Sequence, residues 1–143
     1  MLSIGKSIAD TPGEEAGGYS YEELVRIAAD CVRHAGLGRT CMMPRFLQVL
    51  MRSNSDERRT FIDAAIAADD LNAFHEMREQ GYLSDRYLLY GHKSRCELYT
   101  YMLKKEFGDH ITVESIYEKE ELDGLTVSGS IAVALKAIEQ DTN

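Results

Sequence analysis

Apolar residues recur every three or four positions in the first half of the chain and gather into short runs in the second. Leu24, Ile27, Ala28 and Cys31 keep helical spacing behind Ser20, which stands three residues before Glu23 as one end of a capping box. A helix is therefore expected from Ser20 to Gly36 and Gly38. Pro44 suits the first turn of a second, short helix with Phe46, Leu47, Leu50 and Met51 on one face. Ser55 is expected to cap a third, longer helix through about Gln80. That helix buries Phe61, Ile62, Ala65, Ile66, Leu71, Phe74 and Met77, leaves a charged, wet face and stops at Gly81.

From Arg86 the period changes. A buried strand is expected at 87–90, a helix at 93–107 closed by Gly108, a strand at 111–117 and a last helix at 122–139. Strand, helix, strand at that spacing is a right-handed βαβ unit with parallel strands, and Leu88 and Ile131 are expected in its core. Two strands make an incomplete sheet, to be finished by a larger sheet or by a second copy. The chain reads as one domain over 1–143: a loop or linker at 1–19, marked by Pro12, Gly13, Gly17 and Gly18, a helical part at 20–82 and a βαβα part at 83–143.

Composition narrows the partners. Sixteen Lys and Arg against 24 Asp and Glu give a net charge of −8, which repels nucleic acid and anionic membranes. The opening Met1–Lys6 has no apolar core of a signal peptide, and no later stretch reaches the roughly 20 apolar residues of a membrane span. The three cysteines, Cys31, Cys41 and Cys96, are widely spaced and outside any CxxC, as expected of free thiols in the cytoplasm.

The chemistry-bearing feature is Tyr87-Leu88-Leu89-Tyr90-Gly91-His92-Lys93-Ser94-Arg95, a strand ending in a glycine turn that opens a helix. Glycine lets a ligand approach the backbone, and the helix start offers N–H groups and a positive dipole end. An ordinary βα turn has the same pattern. Gly5-Lys6-Ser7 mimics the end of a phosphate-binding loop, but Pro12 follows too soon for the required helix. Cys31 and His34 share a helix face without a second ligand pair, so no metal site is expected. His75-Glu76 lacks the second histidine of HExxH, and adjacent Asp69 and Asp70 point about 100° apart on a helix. Tyr87, Tyr90, Tyr99 and Tyr101 are available to stack on a base, though most are expected to serve the core.

With these elements in order, the chain resembles the C-terminal part of the 2-dehydro-3-deoxygalactonokinases, sugar-acid kinases of the actin, Hsp70 and hexokinase-like ATPase superfamily. The likeness spans nearly the whole chain. It is carried by the order of four segments: Leu2–Ile8, Met43–Leu50 leading into the long helix, Tyr87–Arg95, and Leu125–Ala132 in the last helix. The resemblance implies an α/β fold, a partial ribonuclease-H-like (actin-like ATPase) lobe with a helix-rich first half and a βαβα second half.

It also implies a nucleotide-binding role for Gly91, His92, Lys93 and Arg95 at the superfamily's adenosine-binding turn, where many relatives carry two glycines and His92 takes the second place here. The implied reaction moves the γ-phosphate of ATP, with Mg2+, to a 2-keto-3-deoxy sugar acid. The family's Asp-x-Gly-Thr phosphate loop, its second phosphate loop and its catalytic carboxylate precede the matched region, so no catalytic residue is assigned here. The chain alone is expected to be inactive, meeting its sugar-acid substrate through a missing lobe. The alternative is a non-catalytic α/β module that binds a partner or forms a homodimer through the open sheet edge.

Overall fold

A computed structural model describes residues 17–141, with side chains to residue 138. The expectations for Leu2–Ile8, Gly5-Lys6-Ser7 and the linker up to residue 16 lie outside the described residues. The element order is α1 (Tyr21–Ala35), α2 (Leu37–Thr40), α3 (Pro44–Leu50), α4 (Ser55–Glu79), β1 (Arg86–Tyr90), α5 (Lys93–Phe107), β2 (Thr112–Ile116) and α6 (Lys119–Asp141). The chain is thus helix-rich α/β, and it divides at Leu83/Ser84 into two compact units.

In the first unit α1 packs on α4. Leu24, Val25, Ala28 and Val32 of α1 are buried, as are Phe61, Ile62, Ala64, Ala65, Ala67, Ala68 and Leu71 of α4; the alanines let the two helices lie close. Ser20 caps α1 in a full capping box with Glu23, as its spacing predicts. The cap of α4 is Asn54, one residue before the expected Ser55: its side chain accepts the Glu57 N–H at 2.9 Å, while Glu57 Oε2 accepts the Asn54 N–H at 2.9 Å. Glu57 reaches further, for its Oε1 accepts the N–H groups of Gly18 at 2.8 Å and Tyr19 at 3.0 Å.

Neighbouring Arg58 is fully buried, and its Nη1 donates to the Ser53 carbonyl. The buried face of α4 therefore carries an acid and a base at its start, one turn before Phe61 and Ile62. Conversely, only Pro44 and Leu47 of α3 are buried; Phe46, Leu50 and Met51 of its expected buried side are exposed, as is Met77 of α4. Seven residues are too few to shield one side of a helix unless the next element lies along all of it.

In the second unit β1 and β2 pair in parallel, Arg86 with Thr112 through Tyr90 with Ile116, and α5 makes the crossover. This is the pairing expected from the crossover length. α5 packs on both strands, burying Cys96, Leu98, Met102 and Leu103, and Tyr87 stacks on Phe107 with ring centroids 6.0 Å apart. Ile111, expected inside the second strand, is buried just before it.

The sheet has one covered face. Tyr87 and Leu89 are half-buried, whereas Leu88, expected in the core, is 57% exposed and Tyr90 is 74% exposed. Ile131 on α6 is 55% exposed, against the same expectation. A strand alternates its side chains, so one helix can cover only one set of them. The last helix is also longer than its periodicity suggests, opening at Lys119 with Glu120 and Glu121 in its first turn.

Candidate functional site

The turn after β1 is the junction singled out by the sequence, and a cavity of about 340 Å3 lies against it. Such a volume falls at the small end of ordinary ligand pockets. Gly91, His92 and Arg95 line it, together with Leu88, Tyr90 and Tyr99. It sits at the carboxyl end of a parallel strand, where open α/β sheets place their ligands.

Gly91 has φ +145°, a conformation that side-chain-bearing residues rarely adopt. A Cβ added there would meet no atom within 4 Å, so backbone conformation and not crowding selects glycine. Its N–H is used: it donates to the Ile116 carbonyl at 3.1 Å and extends the sheet one residue beyond the strand. In the first turn of α5 the Arg95 N–H already donates to the His92 carbonyl at 3.0 Å, which leaves the N–H groups of Lys93 and Ser94 for a ligand. His92 is the N-cap residue of that helix, and its side chain makes no capping hydrogen bond.

The basic residues part company here. Arg95 lines the cavity. Lys93 does not; its ammonium lies over the Tyr117 ring, 5.5 Å from the centroid. Of the four nucleotide-binding residues that the resemblance implies, the structure gathers Gly91, His92 and Arg95 around one cavity and turns the side chain of Lys93 elsewhere.

The tyrosines divide as well. Tyr87 serves the core against Phe107, and the Tyr101 ring lies under the Lys105 ammonium at 5.6 Å. Tyr90 and Tyr99 face the cavity. Cys96 and Leu88 line it too and were no part of the sequence-level site; an i, i+4 count from Arg95 reaches Tyr99, and from His92 reaches Cys96. Burial pushes the Cys96 thiol above its ordinary value, partly opposed by a backbone hydrogen bond and assisted by Glu97.

Among the described residues no group of three His, Cys, Asp or Glu is placed to hold a metal ion, and no helix is long and apolar enough to cross a membrane. No family model matches the chain, and neither a curated protein nor a solved structure matches it.

Proposed function

We propose that the βαβα unit is the adenosine-holding part of a kinase that transfers the γ-phosphate of ATP to a 2-keto-3-deoxy sugar acid, as the resemblance to the 2-dehydro-3-deoxygalactonokinases implies. The observation that supports it is the cavity at the β1–α5 turn, where Gly91, His92 and Arg95 meet two aromatic rings. In this proposal Tyr90 and Tyr99 flank the base, the first turn of α5 offers N–H groups to the ribose or α-phosphate, and Arg95 adds positive charge on the same side.

In this proposal the unit's part in the reaction is to hold nucleotide. Phosphoryl transfer depends chiefly on positioning and charge stabilisation, which gives such a unit a role without a catalytic residue of its own. ATP and ADP titrated into 15N-labelled chain should shift the amides of Gly91–Cys96, weakly, and Arg95→Ala or Tyr99→Ala should remove the effect. Shifts confined to other segments, or none at millimolar nucleotide, would refute the proposal.

A further inference from the structure

In a parallel pair each strand turns the backbone groups of alternate residues toward its neighbour and those of the residues between away from it. The Asp85 carbonyl accepts the Thr112 N–H at 2.7 Å, and the Gly91 N–H donates to the Ile116 carbonyl at 3.1 Å. Asp85, Tyr87, Leu89 and Gly91 therefore face β2, and Arg86, Leu88 and Tyr90 direct their N–H and C=O groups to the outer edge of β1. Ser84 holds both groups of Arg86, its Oγ accepting the N–H at 3.3 Å and donating to the carbonyl at 2.8 Å. The N–H and C=O groups of Leu88 and Tyr90 bond to no described residue, and among the described residues β1 has no second neighbour in the sheet.

A row of unpaired backbone groups is a template for another strand. Its ends are fixed here. Ser84 occupies the outward position before Leu88, and after Tyr90 the chain turns at Gly91 into α5.

We infer that two copies of the chain associate by pairing β1 with β1 in antiparallel orientation about a two-fold axis at Leu89, giving a four-stranded sheet in the order β2-β1-β1-β2. In that register Leu88 of each copy stands opposite Tyr90 of the other, and the two residues of such a pair exchange both N–H···O bonds. Each copy brings two N–H and two C=O groups, and four hydrogen bonds satisfy them all. A pairing centred on Leu88 instead sets Tyr90 against Arg86, whose groups Ser84 already holds. The exposed side chains of Leu88 and Tyr90 then lie side by side across the two copies, an aliphatic–aromatic cross-strand pair on the face that α5 leaves uncovered.

The outer edge of β2 is unsuited to the same contact. There the outward residues are Val113 and Ser115, and the equivalent register sets Glu114 against Glu114 with Cα atoms about 4.5 Å apart, like charges directly opposite. In β1 the residue on the axis is the uncharged Leu89. Pairing β1 with β2 of another copy is a heterologous contact that leaves an edge open at each end. The dimer is made by backbone groups without nucleotide, so its failure leaves the role of the β1–α5 cavity untouched, and the reverse holds.

Four hydrogen bonds and two side-chain pairs predict a weak dimer, with a dissociation constant on the order of 0.1–1 mM. Sedimentation equilibrium of the full chain up to about 2 mM, in salt that screens the net charge of −8, should show a monomer–dimer equilibrium in that range. In the same nucleotide-free samples, amide exchange at Leu88 and Tyr90 should slow at least about twofold between about 0.05 and 2 mM, while Val113 and Ser115 stay fast. Tyr90→Pro removes an outward N–H and no bond to β2, a change that edge strands tolerate, and should return the chain to monomer with its far-UV circular dichroism unchanged. Ser115→Pro, the same change on the outer edge of β2, should retain the dimer. The exchange measurement is made on the parent chain and stands whether or not the proline variants fold. A parent chain monomeric at about 2 mM, a dimer whose Leu88 and Tyr90 amides exchange as fast as in dilute solution, a folded Tyr90→Pro that still dimerises, or a folded Ser115→Pro that does not, would each overturn it.

Discussion

Replacing Glu57 by alanine tests how the first helical unit is held closed at its N-terminal end. The carboxylate is 7% exposed and accepts three backbone N–H groups, from Gly18, Tyr19 and Asn54, at 2.8, 3.0 and 2.9 Å. Losing its half of the capping box costs about 1 kcal/mol. Gly18 is exposed and Tyr19 half-buried, so water can replace much of what their N–H groups lose, and they add about another 1 kcal/mol together. The sum, about 2 kcal/mol, corresponds to a fall of on the order of 10 °C in the midpoint of an 80-residue unit.

These hydrogen bonds also set the pH dependence. Burial raises the Glu57 pKa, but the N–H donors of Gly18, Asn54 and Tyr19 and the Arg58 charge outweigh it and hold the carboxyl below its ordinary value. A group depressed in the folded state stabilises fully above its unfolded value, about 4.3, and ceases to do so as the pH falls through its folded value. Urea unfolding followed by circular dichroism should therefore give parent and Glu57→Ala curves well separated at pH 7 and converging below about pH 4. Amide exchange at Gly18 and Tyr19 should quicken in the variant. A separation unchanged between pH 7 and pH 3, or exchange at these amides unaltered, would refute this account of Glu57.

Two further outcomes follow from burial. Leu88→Asp, at a side chain 57% exposed, should shift the urea midpoint by no more than about 0.5 kcal/mol, whereas Leu103→Asp, at a side chain 0% exposed, should unfold the βαβα unit; equal effects would contradict the one-faced sheet. Burial, with a nearby carboxylate, raises the thiols of Cys31 and Cys41 as well as that of Cys96, so at pH 7.5 a disulfide reagent should modify the folded chain at least roughly tenfold more slowly than the urea-unfolded one. One thiol reacting equally fast in both states would show an activated cysteine.

Much of the backbone was legible because its signals are local. The Ser20 capping box, the glycines closing α1 and α5, and the strand–helix–strand spacing act over a few residues or a single crossover, and each appears in the structure. The shift of the α4 cap to Asn54 shows the limit of such signals. Asn54 and Ser55 are both good caps, and the choice falls to the one standing three residues before Glu57, the same spacing that identified Ser20. The turn at Gly91 was legible for the same reason. What its backbone does with its N–H was not, since the acceptor, the Ile116 carbonyl, lies on another strand.

Coverage is the property that periodicity does not encode. Alternation in β1 distinguishes Tyr87 and Leu89 from Leu88 and Tyr90, but it does not say which set meets α5, and both sets are apolar or aromatic. In α6 the pattern is ambiguous in another way, because apolar residues occur on both the groove side and the opposite side. An apolar side chain left in water is a free-energy cost of about 25 cal/mol per Å2 whichever element carries it. The unit's own single crossover helix can relieve that cost on one face of a two-stranded sheet. Leu88, Tyr90 and the exposed apolar side chains of α6 are what remains.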